Sequence, residues 1–221
     1  MKEMASSFFK QRLRKLKRFF RRSNLSRNIL SFGALAVLLL LLVGMVYSKT
    51  TIPATAYAPL LEVIAQAESK GNYNAYFSNA SNKDIDFTNM SIAEVLQWQK
   101  DFVASGNASN AVGRYQIIQP TLEGLVNELK LNPDEQFDAT MQNRLAITLM
   151  ERRGSVAFID NKLSTEEFAH NLSKEWAALP RVIGDAPESS YYAGDGLNQS
   201  LVDTKTSLNA VESFKQRAKS E

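Results

Sequence analysis

The chain has 221 residues, with 26 basic and 23 acidic side chains, one histidine and no cysteine. This length suits one domain of ordinary size plus an extension, and it is ample for a hydrophobic core. The absence of cysteine excludes disulfide frameworks, thiolate metal sites, thiol nucleophiles and iron–sulfur clusters, and the single histidine excludes multi-histidine metal sites.

The net charge of +3 averages two regions of opposite sign. Residues 1–47 contain ten basic residues and one acidic residue, a net charge of +9. The remaining chain holds 16 basic and 22 acidic residues, a net charge of −6. Because the basic character belongs to the N-terminal region alone, we do not expect nucleic acid as a partner.

A membrane anchor is predicted near the N-terminus. Residues 29–47 carry no charge, and a helix of this length, at about 1.5 Å per residue, nearly spans a hydrocarbon core of about 30 Å. The positive-inside rule keeps the basic residues before it in the cytoplasm. We therefore predict a cytoplasmic tail at 1–28, a transmembrane helix at 29–47, a linker at 48–58 and a periplasmic domain at 59–221, in the bacterial inner membrane.

Alternatives stay open for this N-terminal region. A cleaved signal peptide is the rival of the anchor, because Ala56-Tyr57-Ala58 has the small-x-small pattern of a cleavage site. The anchor is favoured because the apolar run is longer than a typical signal core. The aromatic and basic side chains of 1–28 either lie on the anionic inner leaflet or form a disordered tail. A chain without cysteine suits an oxidising periplasm.

Hydrophobic periodicity after residue 58 predicts a mostly helical domain. Two capping boxes, Ser91 to Glu94 and Ser164 to Glu167, mark helix starts, and Gly71 and Gly154 mark helix ends. The predicted helices span 59–70, 91–105, 120–131, 132–153, 164–178 and 199–219.

Two regions lack helical period. Residues 72–90 are rich in Asn, Ser, Asp and aromatics and read as a loop or small hairpin, with Ile85 and Phe87 facing inward. Residues 180–198 form a loop rich in Gly, Pro, Ser and Tyr. Many helices and one hairpin-like region predict a small, mostly helical α+β domain.

Glu68 is the first candidate for chemistry. It lies on the last turn of an apolar helix, at the edge of the polar region 72–90. A half-buried carboxyl has a raised pKa, which is what a general acid needs at neutral pH. The alternative is a solvated helix-end residue paired with Lys70, which position alone favours.

Two further segments carry residue types that suit sugar binding. In the segment 113–118, a glycine permits close approach of the backbone, while Tyr and Gln offer stacking and amide hydrogen bonds; the alternative is a tight turn followed by a buried piece. Trp176, with Tyr191 and Tyr192 in the following loop, suits a carbohydrate wall. Core packing of Trp176 is the alternative.

Glu68-Ser69, then Ala111-Val-Gly-Arg-Tyr-Gln116, then Trp176-Ala-Ala-Leu-Pro180, in this order and spacing, resemble the bacteriophage lambda endolysin family of lysozyme-like lytic transglycosylases. The resemblance covers about residues 59–200. Residues 82–99 also resemble a segment of phage and bacterial muramidase-like domains. The basic tail and the predicted membrane span are additions to this family pattern.

The resemblance implies a lysozyme-like fold with a cleft between a helical lobe and a small β-containing lobe. It implies cleavage of the β-1,4 bond between N-acetylmuramic acid and N-acetylglucosamine in peptidoglycan, with a 1,6-anhydro product. Glu68 matches the family's single catalytic glutamate. The residues expected to bind the glycan strand are Ser69, Gly113, Arg114, Tyr115, Gln116, Trp176, Tyr191 and Tyr192.

A hydrolytic muramidase on the same fold is the rival activity, and it needs a second carboxylate about 5–9 Å from the first. Asp84 and Asp86 are the candidates, since alternate residues of a strand share a face; solvation of the hairpin is the favoured role for both. A non-catalytic wall-binding domain is the rival outside enzymes. No cofactor and no metal is expected, and the expected partners are peptidoglycan strands and the membrane through 29–47.

Overall fold

The structure, a computed structural model, describes residues 51–220. Short 3-10 turns lie at Ala54–Tyr57 and Phe87–Asn89. The α-helices of the described residues are α1 (Ala58–Ser69), α2 (Ile92–Ala104), α3 (Gln119–Leu129), α4 (Ala139–Arg152), α5 (Ser155–Ile159), α6 (Thr165–Ser173) and α7 (Thr204–Ser220).

Both predicted capping boxes are present. The hydroxyl of Ser91 accepts a hydrogen bond from the backbone N–H of Glu94, whose carboxylate accepts one from the backbone of Ser91 in return. Ser164 and Glu167 make the same pair of bonds at the start of α6. Each box satisfies helix N–H groups that have no partner within the helix, so these two helix starts are where the sequence predicts them.

Other helix boundaries differ from the prediction. Helix α4 begins at Ala139 instead of residue 132, with Asp138 as its N-cap. The preceding segment pairs with the start of α2, because the N–H groups of Ile92 and Ala93 donate to the carbonyls of Glu135 and Pro133. Tertiary pairing therefore overrides the local start signal. Helix α6 ends at residue 173, α7 begins at residue 204, and the short helix α5 was not predicted.

The core contains two groups of aromatic rings. Tyr57, Phe158, Phe168 and Phe214 pack with ring centroids 4.7–6.2 Å apart and join α5, α6 and α7. The second group joins α2 to the polar region and consists of Tyr76, Phe87, Trp98 and Phe102. Since Ala56 and Tyr57 are fully buried, this end of the predicted linker 48–58 is packed into the domain.

The prediction of a β-containing lobe is corrected by the structure. Residues 51–220 contain isolated β-bridges, such as Tyr76 with Val112, and no extended strand. Asparagine side chains replace strand pairing: Asn72 donates to the carbonyls of Ala80 and Asn82, and Asn82 donates to those of Asn74 and Ile85. Asparagine competes in this way with regular backbone pairing, so the region 72–90 folds as a bonded loop. Phe87 faces inward as predicted.

The predicted localisation is also corrected. No helix within residues 51–220 is both long and apolar enough to span a membrane. This finding contradicts the predicted single-pass inner-membrane localisation with a periplasmic domain. The predicted tail at 1–28 and transmembrane helix at 29–47 lie outside the described residues.

Candidate active site

Three segments singled out in the sequence meet in the structure: the end of α1, the 112–117 turn, and residues 176–178. The hydroxyl of Ser69 lies 2.8 Å from the carbonyl oxygen of Arg114. The indole Nε1 of Trp176 donates to the carbonyl of Tyr115 at 3.2 Å. The backbone N–H of Ala178 donates to Glu68 Oε1 at 3.2 Å. Glu68 therefore lies where the three segments converge.

Glu68 is half-buried on the last turn of α1. Burial raises the pKa of its carboxyl to about 7 from an ordinary value of 4.5, and the hydrogen bond from Ala178 opposes this only in part. Among the described residues no ion pair joins Glu68 to Lys70. The carboxyl is therefore partly protonated at neutral pH and can act as a proton donor.

The raised pKa predicts a pH-dependent stability that can be measured. Below pH 4.5 Glu68 is protonated in both the folded and the unfolded chain. Between pH 4.5 and about 7 the unfolded chain ionises this carboxyl, while the folded chain, in which burial disfavours the charge, keeps its proton. This group's stabilising contribution is therefore lost over that window, by roughly 3 kcal/mol.

Glu68→Gln has no such titration, so its melting temperature relative to wild type should rise between pH 4.5 and about 7. Thermal denaturation of both chains across this range checks it. Parallel pH profiles for the two chains would contradict the raised pKa.

The 112–117 turn is closed by backbone hydrogen bonds in both directions between Val112 and Ile117, of 3.1 and 2.9 Å. Gly113 has a φ of +78° and Gln116 a φ of +47°. Glycine adopts this left-handed region freely, whereas other residues do so at a cost. The Gln116 side chain donates to the carbonyl of Gly113 at 2.9 Å, which stabilises the turn.

The side chain of Gln142 in α4 is hydrogen-bonded to the 112–117 turn. It is 1% exposed, and its Oε1 accepts a hydrogen bond from the backbone N–H of Arg114 at 2.8 Å. Its Nε2 donates to the carbonyls of Tyr73 and Phe137. A Cβ on Gly113 would clash with Gln142 Oε1 and lie 3.1 Å from a ring carbon of Phe137. The position that a side chain at Gly113 would take is therefore occupied by Gln142 and Phe137.

Several residues predicted to contact the glycan strand are buried. Ser69 is 0% exposed, Tyr115 2% and Trp176 3%. The Tyr115 hydroxyl donates to Asn143 Oδ1 at 2.6 Å, and burial raises the pKa of this phenol. As placed, Ser69, Tyr115 and Trp176 hold the segments around Glu68 together and present little surface to a ligand.

Arg114 is engaged within the protein. Its guanidinium forms an ion pair with Glu62 at 2.6 Å, donates to the carbonyl of Gly71 at 3.0 Å and lies 4.9 Å from the ring centroid of Tyr73. Glu62 and Gly71 lie on either side of Glu68 in sequence. Arg114 therefore ties the 112–117 turn to the part of α1 that carries Glu68.

Tyr191 and Tyr192 are exposed, at 44% and 41%. Their rings lie 5.4 Å apart, and the Tyr192 hydroxyl donates to the carbonyl of Lys174 at 2.7 Å. Of the residues predicted to contact sugar, these two present the most accessible aromatic surface.

Asp84 and Asp86 are both exposed. The carboxylate of Asp86 accepts hydrogen bonds from Thr88, Asn89 and Asn74, which lower its pKa. These bonds are local to the loop, which fits the favoured role in loop solvation. Within residues 51–220 no hydrogen bond joins either aspartate to Glu68.

Gln142 and its neighbour Asn143 were not identified from the sequence. Asn143 Oδ1 accepts hydrogen bonds from the hydroxyls of Tyr73 and Tyr115. The available signal was a pair of amides within the amphipathic helix α4, since a buried polar side chain needs partners. Across residues 51–220, no group of three or more His, Cys, Asp or Glu side chains is arranged to hold a metal ion.

Two cavities lie elsewhere on the domain. One, of about 820 Å³, lies between the start of α1 and the end of α7. The other, of about 450 Å³, lies beside the start of α3. Glu68 lines neither of them, so neither is the predicted cleft.

Comparisons with known proteins address the family. Bacteriophage lambda lysozyme, solved in complex with a chitohexasaccharide, is similar at 18% identity and a TM-score of 0.44, over 76% of this chain and 96% of that one. No functional argument rests on a likeness of this size. No curated protein matches the chain. The sequence model of the Endolysin family matches residues 58–193, which is more than half of the chain and contains all three segments. The chain belongs to the endolysin family.

Proposed function

We propose that this chain is a peptidoglycan lytic transglycosylase that cleaves the β-1,4 bond between N-acetylmuramic acid and N-acetylglucosamine and leaves a 1,6-anhydro end. Membership of the endolysin family supports a peptidoglycan-cleaving enzyme. The type of cleavage is the part that we add.

The observation that carries this proposal is the environment of Glu68. Its carboxyl has a pKa raised to about 7 by burial. A single carboxyl with this property suits a reaction that needs one group as acid and then as base. Retaining and inverting hydrolases usually need two carboxyls flanking the bond.

In the proposed reaction, protonated Glu68 donates its proton to the glycosidic oxygen as the bond from that oxygen to C1 of the muramic acid breaks. The resulting carboxylate then accepts the proton of the C6 hydroxyl on the same muramic acid. The C6 oxygen forms the new bond to C1, which closes the 1,6-anhydro ring. Glu68 ends protonated, no water is consumed, and no metal or cofactor takes part.

Digestion of purified peptidoglycan in heavy-oxygen water tests this type of cleavage. Transglycosylation takes its nucleophile from the sugar, so the released muropeptides should carry 1,6-anhydro ends without the heavy isotope. Mass spectrometry of the products reads both features. Muropeptides that were released beforehand in ordinary water, and then kept in the labelled water without protein, are the control for spontaneous exchange.

The other outcomes identify the rivals. Reducing ends that carry heavy oxygen would identify a hydrolytic muramidase. Binding to peptidoglycan without release of soluble products would identify a wall-binding domain. Either result would overturn the proposed transglycosylase.

A further inference from the structure

Basic side chains lie beside Tyr191 of the exposed tyrosine pair. The ring of His170 lies 6.1 Å from that of Tyr191, and Lys174 Nζ lies 6.0 Å from the same ring. The guanidinium of Arg181 donates to the hydroxyl of Ser189, two residues before Tyr191, and burial, together with Lys174 and Arg181, lowers the pKa of His170. We call these residues the tyrosine–cation surface: His170, Lys174, Arg181, Tyr191 and Tyr192.

The two permanent cations of this surface have only neutral partners. Lys174 Nζ donates to the amide oxygen of Asn171 at 3.1 Å, and the Arg181 guanidinium donates to the hydroxyl of Ser189 at 2.7 Å. Both side chains are half-buried. Within residues 51–220 neither forms an ion pair with a carboxylate.

Other half-buried arginines behave differently. Arg114 pairs with Glu62, and Arg153 pairs with Glu175 at 2.7 Å. A partly desolvated cation is stabilised by an opposite charge. Because no carboxylate of residues 51–220 pairs with Lys174 or Arg181, an anionic group of a ligand could stabilise both cations.

The tyrosine–cation surface is connected to Glu68 through Ala178. Ala178 donates to Glu68, and Pro180 forms an antiparallel bridge with Ser190, the residue before Tyr191. With ~3.8 Å between consecutive Cα atoms and ~5.5 Å across a bridge, the Cα atoms of Ala178 and Tyr191 are at most about 17 Å apart. A glycan strand of a few sugar rings spans that distance.

We propose that the tyrosine–cation surface binds a sugar strand that carries carboxylates, with the tyrosine rings against the sugar and with Lys174 and Arg181 against the carboxylates. The inference rests on the proposed function, which supplies the glycan strand. In peptidoglycan the carboxylates come from the peptide stem or, where the stem has been removed, from the lactyl group of muramic acid.

Equilibrium binding to soluble glycan strands tests this proposal without requiring turnover. The full chain with Glu68→Gln is used so that strands are not consumed. The probes are peptide-bearing strands, the same strands with their carboxylates amidated, strands stripped of peptide, and neutral chitohexasaccharide. Stripped strands retain only the lactyl carboxylate, so they separate the two sources of charge.

Lys174→Met with Arg181→Met should weaken binding to peptide-bearing strands about five- to tenfold, because each charge contact of a half-buried side chain contributes modestly. Binding to amidated strands and to chitohexasaccharide should not change. Added salt should remove most of the difference. Lys174→Arg with Arg181→Lys retains both charges and should restore binding.

Lys215→Met is the matched control, since Lys215 is also half-buried, without an ion pair among the described residues, and 4.6 Å from the ring centroid of Phe158. An equal loss in this control, an unchanged affinity in the double Met variant, or a wild-type affinity indifferent to amidation would overturn the proposal. If melting temperature shows that the double Met variant is unfolded, the amidation comparison and the charge-retaining variant decide. A chain that discriminates carboxylates but does not cleave peptidoglycan would overturn the proposed function and leave this inference standing.

Discussion

Glu68→Gln is expected to lower the turnover of purified peptidoglycan by about 10²–10⁴-fold while leaving the fold intact, because general acid–base catalysis contributes about this much. Glutamine retains the shape of the side chain and still accepts the hydrogen bond from Ala178, but it cannot donate a proton with comparable acidity. The initial rate of soluble muropeptide release, measured beside the melting temperature, checks both parts.

Asp84→Asn and Asp86→Asn are the matched controls, since each also removes one carboxyl from the same domain. Both side chains are exposed, and the proposed reaction needs a single carboxyl, so we expect much smaller losses of turnover. A loss at Asp86 equal to that at Glu68 would favour the hydrolytic mechanism. Near-normal turnover of Glu68→Gln would show that the residue assignment is wrong.

Gly113→Ala is expected to reduce the free energy of unfolding by about 3 kcal/mol or more. The φ of +78° strains any residue with a Cβ, and this Cβ would clash with the buried Oε1 of Gln142. Gln142 cannot easily move, because it holds the backbone of Arg114, Tyr73 and Phe137. Denaturant unfolding of the purified chain measures the change.

Gly196→Ala separates strain from clash. Gly196 has nearly the same φ, +80°, but a Cβ there meets nothing within 4 Å. We therefore expect it to cost about 1 kcal/mol, the backbone strain alone. If Gly113→Ala lost activity with an unchanged stability, Gly113 would face the ligand and the packing interpretation would be wrong.

Helix starts in this chain were predictable where the signal is local. The capping boxes at Ser91 and Ser164 involve only four consecutive residues, so the pattern contains everything that the geometry needs. The start of α4 depends instead on residues 133–135 pairing with the beginning of α2. A long-range contact of this kind leaves no trace in local periodicity, which is why residues 132–138 were assigned to a helix.

The candidate site was predictable as a set of segments but not as a surface. Glu68, the 112–117 turn and Trp176 come together, as the ordered motifs indicated. The sequence could not tell that Gln142 occupies the position of a side chain at Gly113, because only the fold determines which atoms lie there. Nor could it tell that Tyr191 lies beside His170 and Lys174, since α6 and the following loop are brought together by tertiary contacts.

Whether Glu68 still carries its proton near neutral pH can be measured directly by a carbon NMR titration of the full chain with isotopically labelled glutamate carboxyls. Glu68→Gln identifies the resonance, because its signal disappears in that variant. The buried carboxyl should titrate with a midpoint of about 7. A midpoint near the ordinary value of 4.5 would mean that the group is ionised at neutral pH and cannot serve as the proton donor proposed for glycan cleavage.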